Sequence, residues 1–458
     1  MFFHTWIFAV FFALFYLVYL LVRDTRLRVP WLLAASYTFY GWADPAYLLL
    51  ILYATTADYL LVLAMSRSRR RGRWLAVSIV NNLALLGYFK YARFLLESAN
   101  GLLALCGLGY RFAVPSIVFP LAISFFVFQS LSYVIDYYRG SVPRESNFLR
   151  HAAFIAFFPK LMMGPIDRAG NLLPQLRDAP RISAQDLSDG LSLFVVGLFK
   201  KLALADCLSQ YVDRAYGDPG SCAGSVLAAA TLAYAWQIYF DFSGYSDMAR
   251  GLARAMGVRL LLNFENPYLA TGLGDFWRRW HISLSTWFRD YLYIPLGGNR
   301  RGELRTYVNM CLTMVISGLW HGPMWTFVIW GAVHALGRVL TRELERRRFY
   351  RERVPTLAKQ LGTLAIVSFG WIFFRAASLG DALLIVRRIF TSAWTDPRCP
   401  LVLAALVALV WAYQYAYESR ARRWLELAPV RVGLAVFMIL YLAMFAGSQG
   451  QGFIYLQF

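Results

Sequence analysis

Eleven apolar runs, many close to the length that crosses a lipid bilayer, follow one another along the chain and are separated by short segments rich in arginine. They lie at Phe2 to Val22, Trp31 to Met65, Trp74 to Leu96, Val114 to Tyr138, Leu191 to Val212, Val226 to Phe242, Tyr307 to Leu319, Trp325 to Leu340, Leu357 to Phe374, Leu401 to Tyr417 and Val432 to Ala446. A helix needs roughly 20 apolar residues to span the hydrocarbon core. Lipid offers no partners for backbone N–H and C=O groups, so spanning segments must be helical or form a closed barrel. With 59% hydrophobic residues, the chain is too apolar for an ordinary soluble domain. The expected fold class is an all-α polytopic membrane protein with about eleven to thirteen spanning or re-entrant helices.

The formal net charge of +20 could suggest nucleic acid, but its placement argues otherwise. Basic residues cluster between the apolar runs, at Arg23, Arg26 and Arg28, at Arg67 to Arg73, at Arg342 to Arg353 and at Arg420 to Arg423. That is the pattern of cytoplasmic loops under the positive-inside rule. Membrane lipid, not nucleic acid, is the expected surface partner. The first run has arginines after it, none before it, and no small-residue cleavage site. It is expected to be retained as a helix with its N-terminus outside. Cys106, Cys207, Cys222, Cys311 and Cys399 are scattered singly without a CxxC pair, so neither a disulfide framework nor a metal site is expected and they read as small packing residues.

No linker or fixed-period repeat divides the chain, which reads as one membrane domain over 1–458. Its parts are N-terminal helices at 1–238, catalytic motifs at 239–340, C-terminal helices at 341–446 and a tail at 447–458. Gly41-Trp42-Ala43-Asp44-Pro45 should split one apolar stretch into two helices, and Phe158-Pro159-Lys160 with Gly164-Pro165 should interrupt another. Broken helices at membrane depth are tolerated where they are buried in protein or line a wet cavity, which implies a central tunnel.

The segment Phe276 to Arg300, FWRRWHISLSTWFRDYLYIPLGGNR, is the least membrane-like part of the second half. Its Phe276, Trp277, Trp280, Leu284, Trp287, Phe288 and Tyr291 recur three or four apart, as on a one-sided helix. An interfacial helix with a belt of Trp and Arg is one reading; a functional element is the other. Of the five histidines, His4, His151, His281, His321 and His334, three fall in the last 180 residues. His321 stands in Gly318-Leu319-Trp320-His321-Gly322-Pro323 between two apolar runs, where an ionisable side chain is a functional hypothesis by default. His281 follows Arg278, Arg279 and Trp280 and precedes Ser283 and Ser285; His334 has no polar neighbour in sequence and reads as packing. Tyr239-Phe240-Asp241-Phe242-Ser243-Gly244-Tyr245-Ser246-Asp247 adds two carboxylates and several hydroxyls, which alone could be a polar turn between helices. No GxSxG elbow, HExxH helix or phosphate loop is present. A buried histidine acting as general base suits acyl transfer to a hydroxyl and needs no metal.

Taken in order, YFDFSGYSDMARGLA, NFENPY, FWRRWHISLSTWFRDYLYIPLGGNR and GLWHGPMWTFVIWGAVHA resemble the membrane-bound O-acyltransferase family, in its bacterial branch that acetylates alginate and peptidoglycan. The likeness is densest from Tyr239 to Ala335, and ISFFVFQSLSYVIDYYRG extends it more weakly towards the N-terminus. The resemblance implies helices around a tunnel in the bacterial inner membrane, an acyl thioester donor such as acetyl-CoA entering from the cytoplasm, and no bound cofactor. It matches the family's essential histidine to His321 and its second polar position to His281. Arg278, Arg279 and Arg289 would anchor a helix and attract the anionic donor. Trp277, Trp280 and Trp320, with Ser283, Ser285, Asp241, Ser243, Tyr245 and Asp247, would line the donor path. A periplasmic acetyltransferase or esterase-like partner would complete transfer to the polysaccharide.

Two other readings remain open. One is a D-alanyl transferase of teichoic acids fed by a carrier protein, and the other is a transporter or channel with a polar gate. The arginines before Val432 place the following tail outside. Its Gly452-Phe453-Ile454-Tyr455-Leu456-Gln457-Phe458 resembles the short aromatic C-terminal motif of the small partner in the D-alanylation system. The tail is expected to fold back, with Tyr455 carrying the acyl group covalently. An aromatic interface anchor is the alternative.

Overall fold

A computed structural model describes residues 1–394, 400–445 and 452–454. Among these the regular structure is helical throughout. By its internal contacts the chain divides into two compact units, one of Met1–Leu191 with Ala249–Leu261, the other of Ser192–Met248 with Leu262–Phe458.

In the first unit, helix Trp6–Val22 opens on Thr5, whose hydroxyl accepts from the backbone N–H of Phe8 at 3.3 Å and so caps the helix. Its buried Phe8 and Phe15 pack with Phe39 and Phe158, with ring centroids 5.2 to 6.5 Å apart. Helices Arg28–Gly41 and Ala46–Arg67 are separate, as the Gly41 to Pro45 segment dictates. The Asp44 carboxylate accepts from the N–H of Ala46 at 2.9 Å and restarts the second of them. The chain also breaks at Phe157, two residues before Pro159, as expected. Asp58, fully buried, accepts from Ser78 Oγ at 2.6 Å and Asn82 Nδ2 at 2.9 Å, which ties Ala46–Arg67 to Arg71–Leu86. The buried Asp58 carboxylate is thus satisfied by side-chain donors, as burial in an apolar setting demands.

In the second unit, Gly197 and Gly244 let two helices meet at backbone distance. A Cβ on either would lie within 2.7 Å of the other's carbonyl oxygen. The long helix Gly224–Ala255 contributes its residues up to Met248 here. Tyr239 to Asp247 therefore lies inside a continuous 32-residue helix and is not a polar turn. Ser, Gly and Asp favour turns where water competes for the backbone; within an apolar core, paired charges and helical hydrogen bonds keep the segment helical.

Four helical stretches among the described residues are long and apolar enough to cross a membrane by length and composition: Ala46–Arg67, Arg71–Leu105, Thr356–Arg375 and Ala428–Phe445. The apolar helices Trp6–Val22 and Leu401–Glu418 also leave large side chains such as Leu14, Leu21, Val402 and Leu409 exposed, as lipid-facing surfaces do. Of the cysteines read as packing residues, Cys106 departs from that role by being exposed; Cys207, Cys222 and Cys311 are half-buried, and Cys399 lies outside the described residues.

Candidate active site

The site grows from a helical hairpin in the second unit. Helix Glu303–His321 ends at His321; Gly322 then turns to extended backbone, and Trp325–Arg346 returns antiparallel. Two glycines set the closeness of the pair. A Cβ on Gly318 would fall 2.2 Å from the carbonyl oxygen of Phe327, and one on Gly331 would fall 2.6 Å from that of Met314. At the turn, a Cβ on Gly322 would strike the Phe327 ring at 2.1 Å. The sequence Gly-Leu-Trp-His-Gly-Pro is thus a tight crossing that leaves His321 at a helix end, 4% exposed.

Aromatic rings enclose that imidazole. Trp320 and Trp330 stand edge-on at 5.0 Å each, and Phe374 of helix Thr356–Arg375 is at 5.3 Å. Trp330 also contacts His334 at 4.6 Å, and His334 packs against Trp277 at 5.2 Å and Phe276 at 6.1 Å. Trp277 meets Trp330 at 5.8 Å. His334 therefore belongs to the same aromatic cluster, a placement its lack of polar sequence neighbours did not disclose.

His281 is held in another way. The expected one-sided helix from Phe276 to Tyr291 is two short helices, Leu273–Arg279 and Ile282–Phe288, continued by a π-turn at Arg289–Tyr293. The break falls at His281, whose φ of 41° and ψ of 54° place it in the left-handed region. A residue other than glycine holds that conformation only when its surroundings fix it. Here the upstream Asn263-Phe264-Glu265 segment does so. The N–H of Ile282 donates to Asn263 O at 2.9 Å, and Glu265 N donates to Arg279 O at 2.9 Å. Ser283 Oγ donates to Asn263 Oδ1 at 2.6 Å, and Asn263 Nδ2 donates to Ser246 Oγ at 3.1 Å. Ser285 closes the turn through Trp280 O at 3.1 Å. The His281 ring, fully buried, lies 4.7 Å from Phe242, 6.5 Å from Phe264 and 6.1 Å from Trp320. His281, Trp320, His321, Trp330 and His334 form one chain of touching rings.

The carboxylates of the Tyr239 to Asp247 stretch find lysines. Asp241 accepts from Lys201 Nζ at 2.8 Å with both side chains buried, and Lys201 also meets Asp206 at 2.8 Å. Lys200 pairs with Asp247 at 2.6 Å. Onto the Asp241–Lys201 pair folds a piece of the C-terminal tail. The N–H of Ile454 donates to Asp241 Oδ2 at 2.9 Å, and the carbonyl of Gly452 accepts from Lys201 Nζ at 3.3 Å. Phe453 is buried with its ring 4.6 Å from the Lys201 ammonium and 5.1 Å from the Tyr245 ring. Ser243 is buried on the same helix. Tyr455 lies outside the described residues.

The arginines expected at a donor mouth are mostly engaged. Arg279 meets Asp275 at 3.2 Å and Glu418 at 2.7 Å, and Arg289 meets Asp290 at 2.7 Å. Arg278 is 3.5 Å from Asp275 with a side chain 75% exposed. Sequence reasoning missed Asn263, Lys200, Lys201 and Phe374. Two lysines inside the apolar run Leu191 to Val212 were the available signal, since a cation at that depth calls for a partner.

Residues 140–379 match the model of the membrane-bound O-acyltransferase family. A probable alginate O-acetylase, AlgI, of Pseudomonas aeruginosa is 41% identical over 386 residues, covering 83% of this chain and 72% of that protein. A peptidoglycan O-acetyltransferase of Helicobacter pylori is 34% identical over 387 residues, with 78% and 72% covered. A teichoic acid D-alanyltransferase of Bacillus subtilis is 27% identical over 272 residues, with 56% and 68% covered.

Proposed function

The chain belongs to the membrane-bound O-acyltransferase family and is a multi-pass membrane O-acyltransferase; from that premise we propose that it moves an acetyl group from cytoplasmic acetyl-CoA for O-acetylation of a cell-surface or secreted polysaccharide of the alginate or peptidoglycan kind. The observation that carries this reading is His321, buried at the helix break and walled by Trp320, Trp330 and Phe374. Its ring nitrogen takes the proton of an acceptor hydroxyl, and the oxygen attacks the thioester carbonyl. The C–S bond breaks, and the departing thiolate receives the proton from the imidazolium. The rings exclude water, which keeps hydrolysis from competing with transfer. His281 and its Asn263-held turn position the reacting groups along a tunnel open to both sides of the inner membrane, and Arg278 contributes charge at the donor end.

The tail enters the same proposal. Tyr455 is the covalent relay that accepts the acetyl group and passes it to a periplasmic acetyltransferase or esterase-like partner. The anchoring of Gly452 and Ile454 on Lys201 and Asp241 supports a tail that works against this unit. The acetylating reading is favoured over D-alanyl transfer by the higher identity and wider coverage of the O-acetylating relatives.

The test is thioester consumption by purified protein in detergent. Wild type releases free thiol from acetyl-CoA and His321→Ala does not; equal release by both would remove the assignment. Tyr455→Phe keeps the ring and loses polymer acetylation if the relay is right. Unchanged acetylation by this variant would leave the tail an aromatic anchor.

A further inference from the structure

The first unit carries a concave site of about 450 Å³ that no part of the acyl-transfer reading uses. Five arginines line or rim it: Arg23, Arg26 and Arg28 from the loop after the first helix, with Arg150 and Arg177 brought in from more than 120 residues downstream. Such volume is typical of a small-molecule pocket.

The arginines are held in place by the fold. Arg28, 7% exposed, donates to the carbonyls of Leu176 and Asp178 at 2.8 Å and of Arg177 at 3.3 Å, so it caps the end of helix Ala169–Arg177. Glu145, buried at 1% exposure, meets Arg150 at 2.9 Å and Arg177 at 3.5 Å and orients both guanidiniums. Arg23 pairs with Asp24 at 3.2 Å. Five guanidiniums stand against the three carboxylates Asp24, Glu145 and Asp178, which leaves a surplus of positive charge around the cavity. Two helix starts add to it. Val29 of the first turn of Arg28–Gly41 lines the cavity, as does Asn147, the cap of Phe148–Ala156. Helix N-termini present N–H groups and positive potential to anions. A planar guanidinium matches phosphate oxygens in pairs and is weakly hydrated, so arginine suits phosphate better than lysine does.

We propose that this arginine-lined cavity binds a phosphate-bearing ligand, either the headgroup of an acidic phospholipid or the phosphates of a soluble nucleotide. The positive-inside pattern of Arg23 to Arg28 puts it on the cytoplasmic side, where both sources occur. The inference stands on the cavity alone and does not require the acyl-transfer reading.

The experiment measures binding directly on the full-length protein. Thermal unfolding in detergent is followed while adenosine 3′,5′-bisphosphate is titrated. A parallel arm compares nanodiscs of phosphatidylglycerol with nanodiscs of phosphatidylcholine. Wild type should be stabilised by at least one of the phosphate probes. The double variant Arg26→Gln, Arg177→Gln should bind that probe about tenfold or more weakly, because it loses charge-assisted contacts. Protection by the bisphosphate identifies a nucleotide site, and protection by phosphatidylglycerol alone identifies a lipid site. Equal response of wild type and variant in both arms would overturn the proposal. If the double variant unfolds without ligand, Arg26→Glu gives the same reading, since Arg26 is exposed. His321→Ala should bind like wild type, which separates failure here from failure of the catalytic assignment.

Discussion

His321 and His281 lie in one ring cluster but are held by opposite means. The His321 hairpin is a packing device: Gly318, Gly322 and Gly331 admit no Cβ, and rings surround the imidazole. The His281 turn is a hydrogen-bonding device, a left-handed residue kept in place by Asn263 and two serines. At glycines where no Cβ fits, gain of a side chain forces neighbouring backbone to shift, because interiors are already close-packed. A polar clamp fails when one partner is removed and the other is left buried without its bond.

The sharpest separation of the two is chemical. His321→Ala should lower acetyl transfer by about 10²- to 10⁴-fold, the usual range for a general base. Folding should persist, and transfer is read as acetate on the polymer. His281→Ala should cost less, since positioning is shared with its turn. Asn263→Ala comes next. It leaves buried groups of Ser283 and Ser246 without their partner, a loss of about 1 to 3 kcal/mol for each unsatisfied group, so both thermal midpoint and turnover should fall. A fall in midpoint with turnover unchanged would break the link between the turn and function.

These two devices differ in how far the sequence discloses them. Apolar runs and arginine loops are local patterns, and the helix breaks at Gly41 to Pro45 and before Pro159 follow from residues at the break itself. WHG carried its own signal, a histidine beside Gly and Pro. The His281 break carried none, because its cause lies in Asn263, 18 residues upstream, and a period of three to four reads through it as one helix. The Asp241–Lys201 pair joins residues 40 apart, so neither charge announced its partner. The motif of the tail implied that it folds back, but its docking on Lys201 and Asp241 was beyond any local pattern.

Gly318→Ala probes the packing device without touching chemistry. Its Cβ would enter the backbone of Phe327, and overpacking of this kind costs about 1 to 3 kcal/mol. The thermal midpoint should drop further than for the same change at Gly362, whose Cβ would meet nothing within 4 Å. The smallest effect belongs to Arg278→Gln. The side chain is mostly exposed, so the apparent KM for acetyl-CoA should rise only about two- to threefold, and added salt should erase the difference. A fall in kcat with KM unchanged would make Arg278 a structural anchor.

The central claim is that the His321 imidazole itself moves the proton. Removing it vacates a ring-sized space between Trp320, Trp330 and Phe374, which free imidazole can occupy. The decisive measurement is thiol release from acetyl-CoA by folded His321→Ala protein, with and without added imidazole. The predicted result is negligible release alone and recovery that rises with imidazole and follows its neutral form. Release near the wild-type rate without imidazole would contradict the claim.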